Sequence, residues 1–486
     1  MKNSQQIMIL LISTLFILPS FSIAQTQQID IDPLIDLSLT VDISKIRSLE
    51  HDDPQLNFKE IIDEESDPDF YVVVRVNGKS FTSDIFWNTR YLYDTPFSVT
   101  IDVDDTEEFI PISIQLWDAA DESITKDRLC DISPDEGMND DAYDVELTYN
   151  LKTGKWTGDD YVGDSSGYGR LNGCADGTIY ERDRDCELWF DITQNDADGD
   201  GIPYYLETEV YGTDPMVSDA HLDLDDDGIP TWWEWKYDYD PLVWQNHSEL
   251  DPDEDGITNY YEYQTAQWFS DPFTQDLFLE LDQMEEGPNG EQSIFPEMAK
   301  EMLYTVHDRQ NLVYHLDDGD GIWETDSGSE FVPFDELTDF YELQEIYKNY
   351  FLHNDEDNWR KNVFHYGVLI WESDRVAGMA FGYDRFQISA HLLDLKVEEH
   401  GFDRDVTYAS AYMHETGHNL RFWPIPGHGN TGWLLRMFLP LYKSCMSYGW
   451  IYRMVDYSDG SRPHLSPFIG DYDDWERMDL TYSLNH

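Results

Sequence analysis

The sequence predicts a multidomain α+β chain, with an antiparallel β-sandwich, an acidic repeat segment and a C-terminal α/β domain in that order. Three observations carry that expectation. Short apolar strands bounded by turn residues recur between positions 30 and 156, with no helical pattern between them. Three copies of Asp-x-Asp-x-Asp-Gly follow, with first aspartates at 196, 223 and 251. Beyond residue 273, strand and helix patterns alternate and lead into a helix carrying His-Glu-x-x-His.

Composition bounds the class. A chain of 486 residues has room for about two to four domains with cores of their own. With 31 Tyr, 24 Phe and 16 Trp, wholesale disorder is excluded. Against 30 Lys and Arg stand 100 Asp and Glu, a formal net charge of −70. Such a field repels nucleic acid and anionic membranes, and points to bound divalent cations, a saline medium, or both. Residues 1–24 read as a secretory signal, with Lys2 as the charged start, an apolar run after it and the small Ala24 for cleavage. No later segment is long and apolar enough to span a bilayer, so a secreted, extracellular protein is expected.

Residues 25–165 are expected to form the sandwich, with strands at Tyr71–Gly78, Phe97–Val103, Ile110–Trp117 and Val145–Leu151. The stretches SDPDFYVVVRV and LWDAADE resemble the calcium-dependent C2-like sandwich. That resemblance makes Asp67, Asp69, Asp118, Asp121 and Asp127 candidate loop ligands; solvated acidic loops on an accessory domain are the other reading. Residues 166–194 read as a linker. Cys174 and Cys186 flank a polar loop there and form the expected disulfide, while Cys130 and Cys445 allow other pairings.

Residues 195–272 hold the repeats. Each has Asp at loop positions 1, 3 and 5, Gly at 6 and Glu at 12. The ligand sets are Asp196, Asp198, Asp200 and Glu207; Asp223, Asp225, Asp227 and Glu234; and Asp251, Asp253, Asp255 and Glu262. Ca²⁺ takes six to eight oxygens, the glycine permits the sharp turn, and the last glutamate closes the shell. With the recurring Asp-Pro pairs at 214, 240 and 271, the repeats resemble thrombospondin type-3 repeats. The resemblance implies a spacer stiffened by calcium with little other core.

The C-terminal domain, 273–486, reads as a strand at Asp276–Met284, a helix over PEMAKEMLYTVHDR, a strand in NLVYHLDDGDG and a strand at Val363–Ser373. The helix with the motif follows, capped by Asp405 or Thr407 and ending near Leu420 to Trp423, before Pro424 and Pro426. On a helix, His414 and His418 lie one above the other and can grip one ion, with Glu415 placed to act as general base on a coordinated water. A catalytic zinc takes three protein ligands. His428, between Gly427 and Gly429, is the third candidate, with His464 as the alternative. Asp317, Asp318 and Asp320 form a fourth acidic turn without a closing glutamate, read as solvated. His315, His365 and His391 lack mutual spacing and read as core or strand histidines.

His-Glu-x-x-His, a later His in a glycine turn and Ser-Cys-Met-Ser-Tyr at 444–448 together resemble the metzincin zinc metalloproteases, closest to the pappalysin-like branch. The resemblance implies a Met-turn at Met446, beneath zinc held by His414, His418 and His428. It also implies a contribution from Tyr448, as zinc ligand or oxyanion partner. The chain departs from the usual pattern: Arg421 stands at the glycine position, and four residues are inserted before His428.

The expectation is thus a secreted zinc endopeptidase stabilised by calcium, acting on protein or peptide substrates. Two rivals stand beside it. One is a calcium-dependent adhesion or extracellular binding protein whose protease domain has decayed, and the other is a metal hydrolase that spares protein.

Overall fold

A computed structural model describes residues 30–49, 67–93, 96–120, 126–134, 143–160, 168–179, 184–321, 327–374, 376–422, 442–460 and 473–481. The expected signal at 1–24, Asp121, His428 and His464 lie outside the described residues.

The N-terminal part is two antiparallel sheets around one core. Its strands are β1 (Ser38–Ser48), β2 (Phe70–Val76), β3 (Lys79–Thr82), β4 (Tyr91–Leu92), β5 (Phe97–Asp102), β6 (Phe109–Asp118), β7 (Arg128–Leu129), β8 (Val145–Asn150), β9 (Lys155–Gly158), β10 (Arg170–Asn172) and β11 (Cys186–Gln194). One sheet runs β10-β11-β1-β4 with β5 also on β1; the other runs β3-β2-β6-β8-β9 with β7 on β6. Alternation explains the layers. Leu39, Val41 and Ile43 of β1 and Val72, Val74 and Val76 of β2 are buried in the shared core.

The expected linker 166–194 is corrected here. Its strands β10 and β11 belong to the first sheet, and β11 pairs along almost the whole of β1. Leu188, Phe190 and Ile192 point into the core, so the segment carries sandwich strands. The expected Cys174–Cys186 disulfide is corrected too. All four cysteines are buried thiols, and the Cys174 thiol donates to Asp185 Oδ2 at 3.2 Å. The candidate loop acids are occupied by protein partners. Asp67 pairs with Arg90, Asp118 with Arg128, Asp69 accepts the Asn88 amide, and Asp127 accepts the Tyr71 hydroxyl.

Each acidic loop of the middle segment runs into a short helix: α1 (Tyr204–Leu206), α2 (Thr231–Lys236) and α3 (Asn259–Thr265). Small apolar clusters form beneath them, Ile202 with Leu206 and Ala220, and Ile229 with Trp233 and Tyr237. The segment also docks on its neighbours rather than merely spacing them. Trp235 Nε1 donates to the Thr153 carbonyl at 2.7 Å, and Ile257 and Trp268 join the core of the next domain.

The C-terminal part is a largely parallel sheet of β12 (Asp276–Met284), β13 (Val313–Asp317), β14 (Phe331–Val332), β15 (Phe364–Ile370), β16 (Gly378–Ala380) and β17 (Arg385–Ser389). The order is β13-β12-β15-β17-β16, with β14 on β12 and only the edge strand β16 antiparallel. Helices α4 (Glu297–Asp308), α6 (Ala390–His400) and α7 (Arg404–Asn419) cover one face, and α5 (Phe340–Ile346) covers the other. Parallel strands covered on both sides are buried, and β12 is so at every position but the half-buried Gln283.

Its charged residues therefore do not face solvent. Glu280 pairs with Arg360 at 2.6 Å, and Asp282 accepts the Tyr366 hydroxyl at 2.6 Å. The fourth acidic turn, expected to be solvated, is only partly so. Asp317 is buried on Arg360 and Asp318 pairs with Lys300, which leaves Asp320 exposed. His315 and His365 are buried strand histidines, as expected, whereas His391 is corrected: it lies in the first turn of α6, half-buried, with its ring stacked on Trp371.

Candidate metal centres

The three acidic loops share one construction. In each, the glycine at position 6 has a left-handed backbone, with φ of 89° at Gly201, 103° at Gly228 and 97° at Gly256. Its amide donates to the first aspartate, at 3.1 Å from Gly201 to Asp196, 2.8 Å from Gly228 to Asp223 and 3.1 Å from Gly256 to Asp251. The isoleucine after it donates to the position-5 carboxylate, Asp200, Asp227 or Asp255.

What these loops lack is positive charge. One oxygen each of Asp198, Asp225 and Asp253, and one or both of Glu207, Glu234 and Glu262, are buried without a hydrogen bond. The same two positions are orphaned in all three copies, and the orphans face one another. The ligand atoms of Asp196, Asp198 and Asp200 lie within 4.8 Å of one another, as do those of the corresponding triads in the other two loops. Burial and mutual repulsion push Glu207 up to about 8, Asp198 to about 6 and Asp253 to about 10. A hard divalent cation is what this donor set fits.

Residues outside the twelve-residue loops join them, and sequence spacing missed these. Asp219 comes within ligand distance of Asp200 and Glu207, and His247 within the same distance of Asp227 and Glu234. At the third loop, the Asp255 carboxylate accepts the amide of Asp276, the first residue of β12. The acids there are buried together: burial pushes Asp276 well above the carboxylate range, and burial with the Asp276 charge beside them does the same to Glu262 and Asp255.

The second centre is on α7. Its N-cap is Asp403, whose carboxylate accepts from Asp405 and Val406; the expected caps Asp405 and Thr407 lie inside the helix instead. Thr407 donates its hydroxyl back to the Asp403 carbonyl. The helix ends as expected, and its ending is specific. The Phe422 amide donates to the Gly417 carbonyl at 3.0 Å and the Arg421 amide to the His418 carbonyl at 3.3 Å, with Arg421 at φ 69°. This is the paired closing bond of a Schellman motif. Arg421 thus closes the helix in a left-handed turn, a conformation that favours glycine.

His414 and His418 stand side by side, with ring centroids 4.9 Å apart. The His414 Nδ1 lies 2.9 Å from the Cys445 carbonyl oxygen, which can only accept. Its proton is therefore on Nδ1, and Nε2 keeps a lone pair for a metal. Glu415 is buried beside β16, where the Ala380 amide donates to it, and burial pushes its carboxyl up to about 8. Gly378 on the same strand leaves the room that the Glu415 side chain occupies.

Met446 is fully buried beneath α7. A Cβ on Gly417 would lie 2.5 Å from its sulfur, so the glycine in the motif lets the methionine close in. Tyr448 is half exposed, with its ring 5.9 Å from that of His414. Burial raises its hydroxyl, and the Glu415 carboxylate adds to the shift. The structure thus gathers His414, Glu415, His418, Met446 and Tyr448 at one place. The Cys445 carbonyl, Gly378 and Ala380 are additions that no side-chain motif announces. The donor set fits a nitrogen-preferring ion such as zinc.

Comparison with known proteins adds little. No protein-family model matches the chain, and no curated protein matches it. Among solved structures, human GIVD cytosolic phospholipase A2 in complex with methyl γ-linolenyl fluorophosphonate is 15% identical, with a TM-score of 0.17, over 32% of this chain and 17% of that one. A structure of a C2 domain is 10% identical at a TM-score of 0.18, over 32% of this chain and 97% of that one. The two calcium-bound C2 domains of Extended-Synaptotagmin 2 are 13% identical at 0.19, over 33% of this chain and 46% of that one. The chain spans about a sixth of the length of the phospholipase. Superpositions scoring this low carry no argument, and the antiparallel sandwich rests on its own strand pairing.

Proposed function

We propose that the chain is an exported zinc-dependent endopeptidase of the metzincin kind, stabilised by calcium and acting on protein or peptide substrates. The observation that carries the reading is the bond from His414 Nδ1 to the Cys445 carbonyl. It aims a neutral imidazole nitrogen into the same space as His418, with Glu415 between them and Met446 beneath. His414 and His418 would hold the ion, with His428 as the third ligand.

Zinc, when bound, supplies a Lewis acid for the scissile carbonyl and lowers the pKa of water. Glu415 takes the proton of the attacking water and later passes it to the leaving amine. Tyr448 donates its hydroxyl to the developing oxyanion. Export is supported by the charged and apolar start of the chain. Among the described residues, no helix is long and apolar enough to cross a membrane.

The test is zinc content by mass spectrometry, beside digestion of denatured casein by the wild type and by Glu415→Ala. Zinc bound through His414 and His418, with cleavage lost in the variant, is the expected result. No zinc, or cleavage unchanged in the variant, would sink the peptidase and bring forward a calcium-dependent binding protein.

A further inference from the structure

The three acidic loops are not chemically equivalent. In the first, the group that joins position 5 and position 12 is a carboxylate, Asp219 beside Asp200 and Glu207. In the second it is an imidazole, His247 beside Asp227 and Glu234. Nitrogen is a poor ligand for calcium and a good one for the borderline transition ions.

The geometry around His247 is that of a ligand set. Its Nε2 lies 3.2 Å from Asp227 Oδ2 and 3.8 Å from Glu234 Oε1. With bonds of about 2.0–2.1 Å, two ligands of a tetrahedral ion stand about 3.3 Å apart, so both separations are near an edge of such a site. All three side-chain ends are buried, with His247 1% and Glu234 0% exposed. Neither Glu234 oxygen makes a hydrogen bond, and neither does His247 Nε2. A buried glutamate with both oxygens unsatisfied is costly unless a cation sits against it.

The ring is also held for the task. Trp233 and Tyr239 meet it edge to face, with centroids 5.8 and 5.0 Å away. Its other nitrogen, Nδ1, lies 3.1 Å from the Asn259 side-chain nitrogen, and turning that amide over brings its oxygen to the same place. The amide can present its oxygen, which otherwise makes no hydrogen bond, to an Nδ1–H. In that orientation the amide would fix the tautomer and leave the Nε2 lone pair directed at Asp227 and Glu234, as outer partners of metal-binding histidines do.

We propose that Asp227, Glu234 and His247 form a second transition-metal site, mixed in nitrogen and oxygen, that takes Zn²⁺ or a neighbouring divalent ion within a repeat otherwise built for calcium. The proposal does not rest on the peptidase reading, because its ligands lie on other elements.

The test uses the full chain carrying His414→Ala and His418→Ala, so that the centre on α7 is silent. It is stripped with chelator, returned to excess Ca²⁺ and titrated with Co²⁺ and Zn²⁺. One equivalent of Co²⁺ should bind with a visible d–d spectrum, and Zn²⁺ should displace it despite the calcium. His247→Asp makes the site all-oxygen and should abolish that equivalent while circular dichroism stays unchanged. Should that variant misfold, the isosteric Glu234→Gln removes one ligand and should lose the same equivalent. No Co²⁺ bound by the parent, or the same Co²⁺ bound after either substitution, overturns the proposal and leaves His247 as a hydrogen-bonding residue beside a calcium loop.

Discussion

Gly378 stands against the Glu415 carboxylate so closely that a Cβ on the glycine would lie 2.9 Å from both Cγ and Cδ of the glutamate. Edge strand β16 thus provides two things at once, an open position and the Ala380 amide that donates to the same carboxylate. Gly378→Ala should push Glu415 out of register with the two histidines. Displacing a general base is expected to cost about 100-fold in turnover. Zinc content should stay that of the wild type, since the atoms nearest to an added Cβ are those of Glu415 and not of the two histidines. Unchanged casein cleavage in Gly378→Ala would separate Glu415 from the reaction.

Arg421 holds the left-handed position that closes α7. A non-glycine residue there costs about 1–2 kcal/mol. Its exposed ion pair with Asp479, at 3.0 Å, returns only about 0–1 kcal/mol. Arg421→Gly should therefore stabilise the protein by about 1 kcal/mol and leave peptidase activity unchanged. Chemical denaturation beside a casein assay checks both. A clear loss of stability would mean that the arginine side chain holds the end of the helix, contrary to the backbone argument.

How much of this was legible depends on where the chemistry resides. The acidic loops were legible because each places its ligands within twelve consecutive residues, and so was His-Glu-x-x-His, whose spacing is the helix repeat. Asp219, His247 and Asp276 were not, since they reach the metal positions from outside those twelve residues. Nor was the Cys445 carbonyl, because a backbone atom leaves no trace in a side-chain pattern. Gly378 matters only through the strand register that brings it to Glu415. Strand β11 was hidden in an expected linker although Leu188, Phe190 and Ile192 alternate. Its partner β1 lies some 140 residues earlier, and the flanking cysteines drew the segment towards a disulfide reading. Strand β12 was legible, but the cation that meets its Glu280 was not, because Arg360 comes from a distant turn.

Calcium binding should depend steeply on pH. Without a cation, burial and neighbouring aspartates raise Glu207 from its ordinary 4.5 to about 8. Its folded pKa thus exceeds its unfolded one, and the metal-free protein should lose stability as pH rises from about 4.5 to about 8. Calcium must displace the same proton, so its affinity should increase over that range. Isothermal titration at pH 6 and pH 8 should give tighter binding at pH 8, with proton release at neutral pH detected in two buffers of different ionisation heat. Equal affinity at both pH values would show that the glutamate is not a ligand.

Arg360 binds Glu280 at 2.6 Å and Asp317 beside it, while its guanidinium lies 3.9 Å from the centre of the Phe364 ring. All three charged side chains are buried. Arg360→Met keeps the apolar stem but leaves two carboxylates with no cation. Breaking a buried pair from one side costs about 3–5 kcal/mol, far more than the pair contributes over an apolar replacement. Burial already holds Glu280 well above the carboxylate range, and Arg360 opposes that shift. Removing the arginine raises the folded pKa further, so the lost stability should be greatest at neutral pH and shrink on acidification, as the glutamate is protonated in the folded state. Adding Glu280→Gln should recover part of the loss at pH 7, because it removes one stranded charge while keeping its shape. Urea denaturation of the two variants at pH 7 and pH 5 measures both effects. A penalty that is small, or independent of pH, would mean that water rather than Arg360 satisfies the acids of β12.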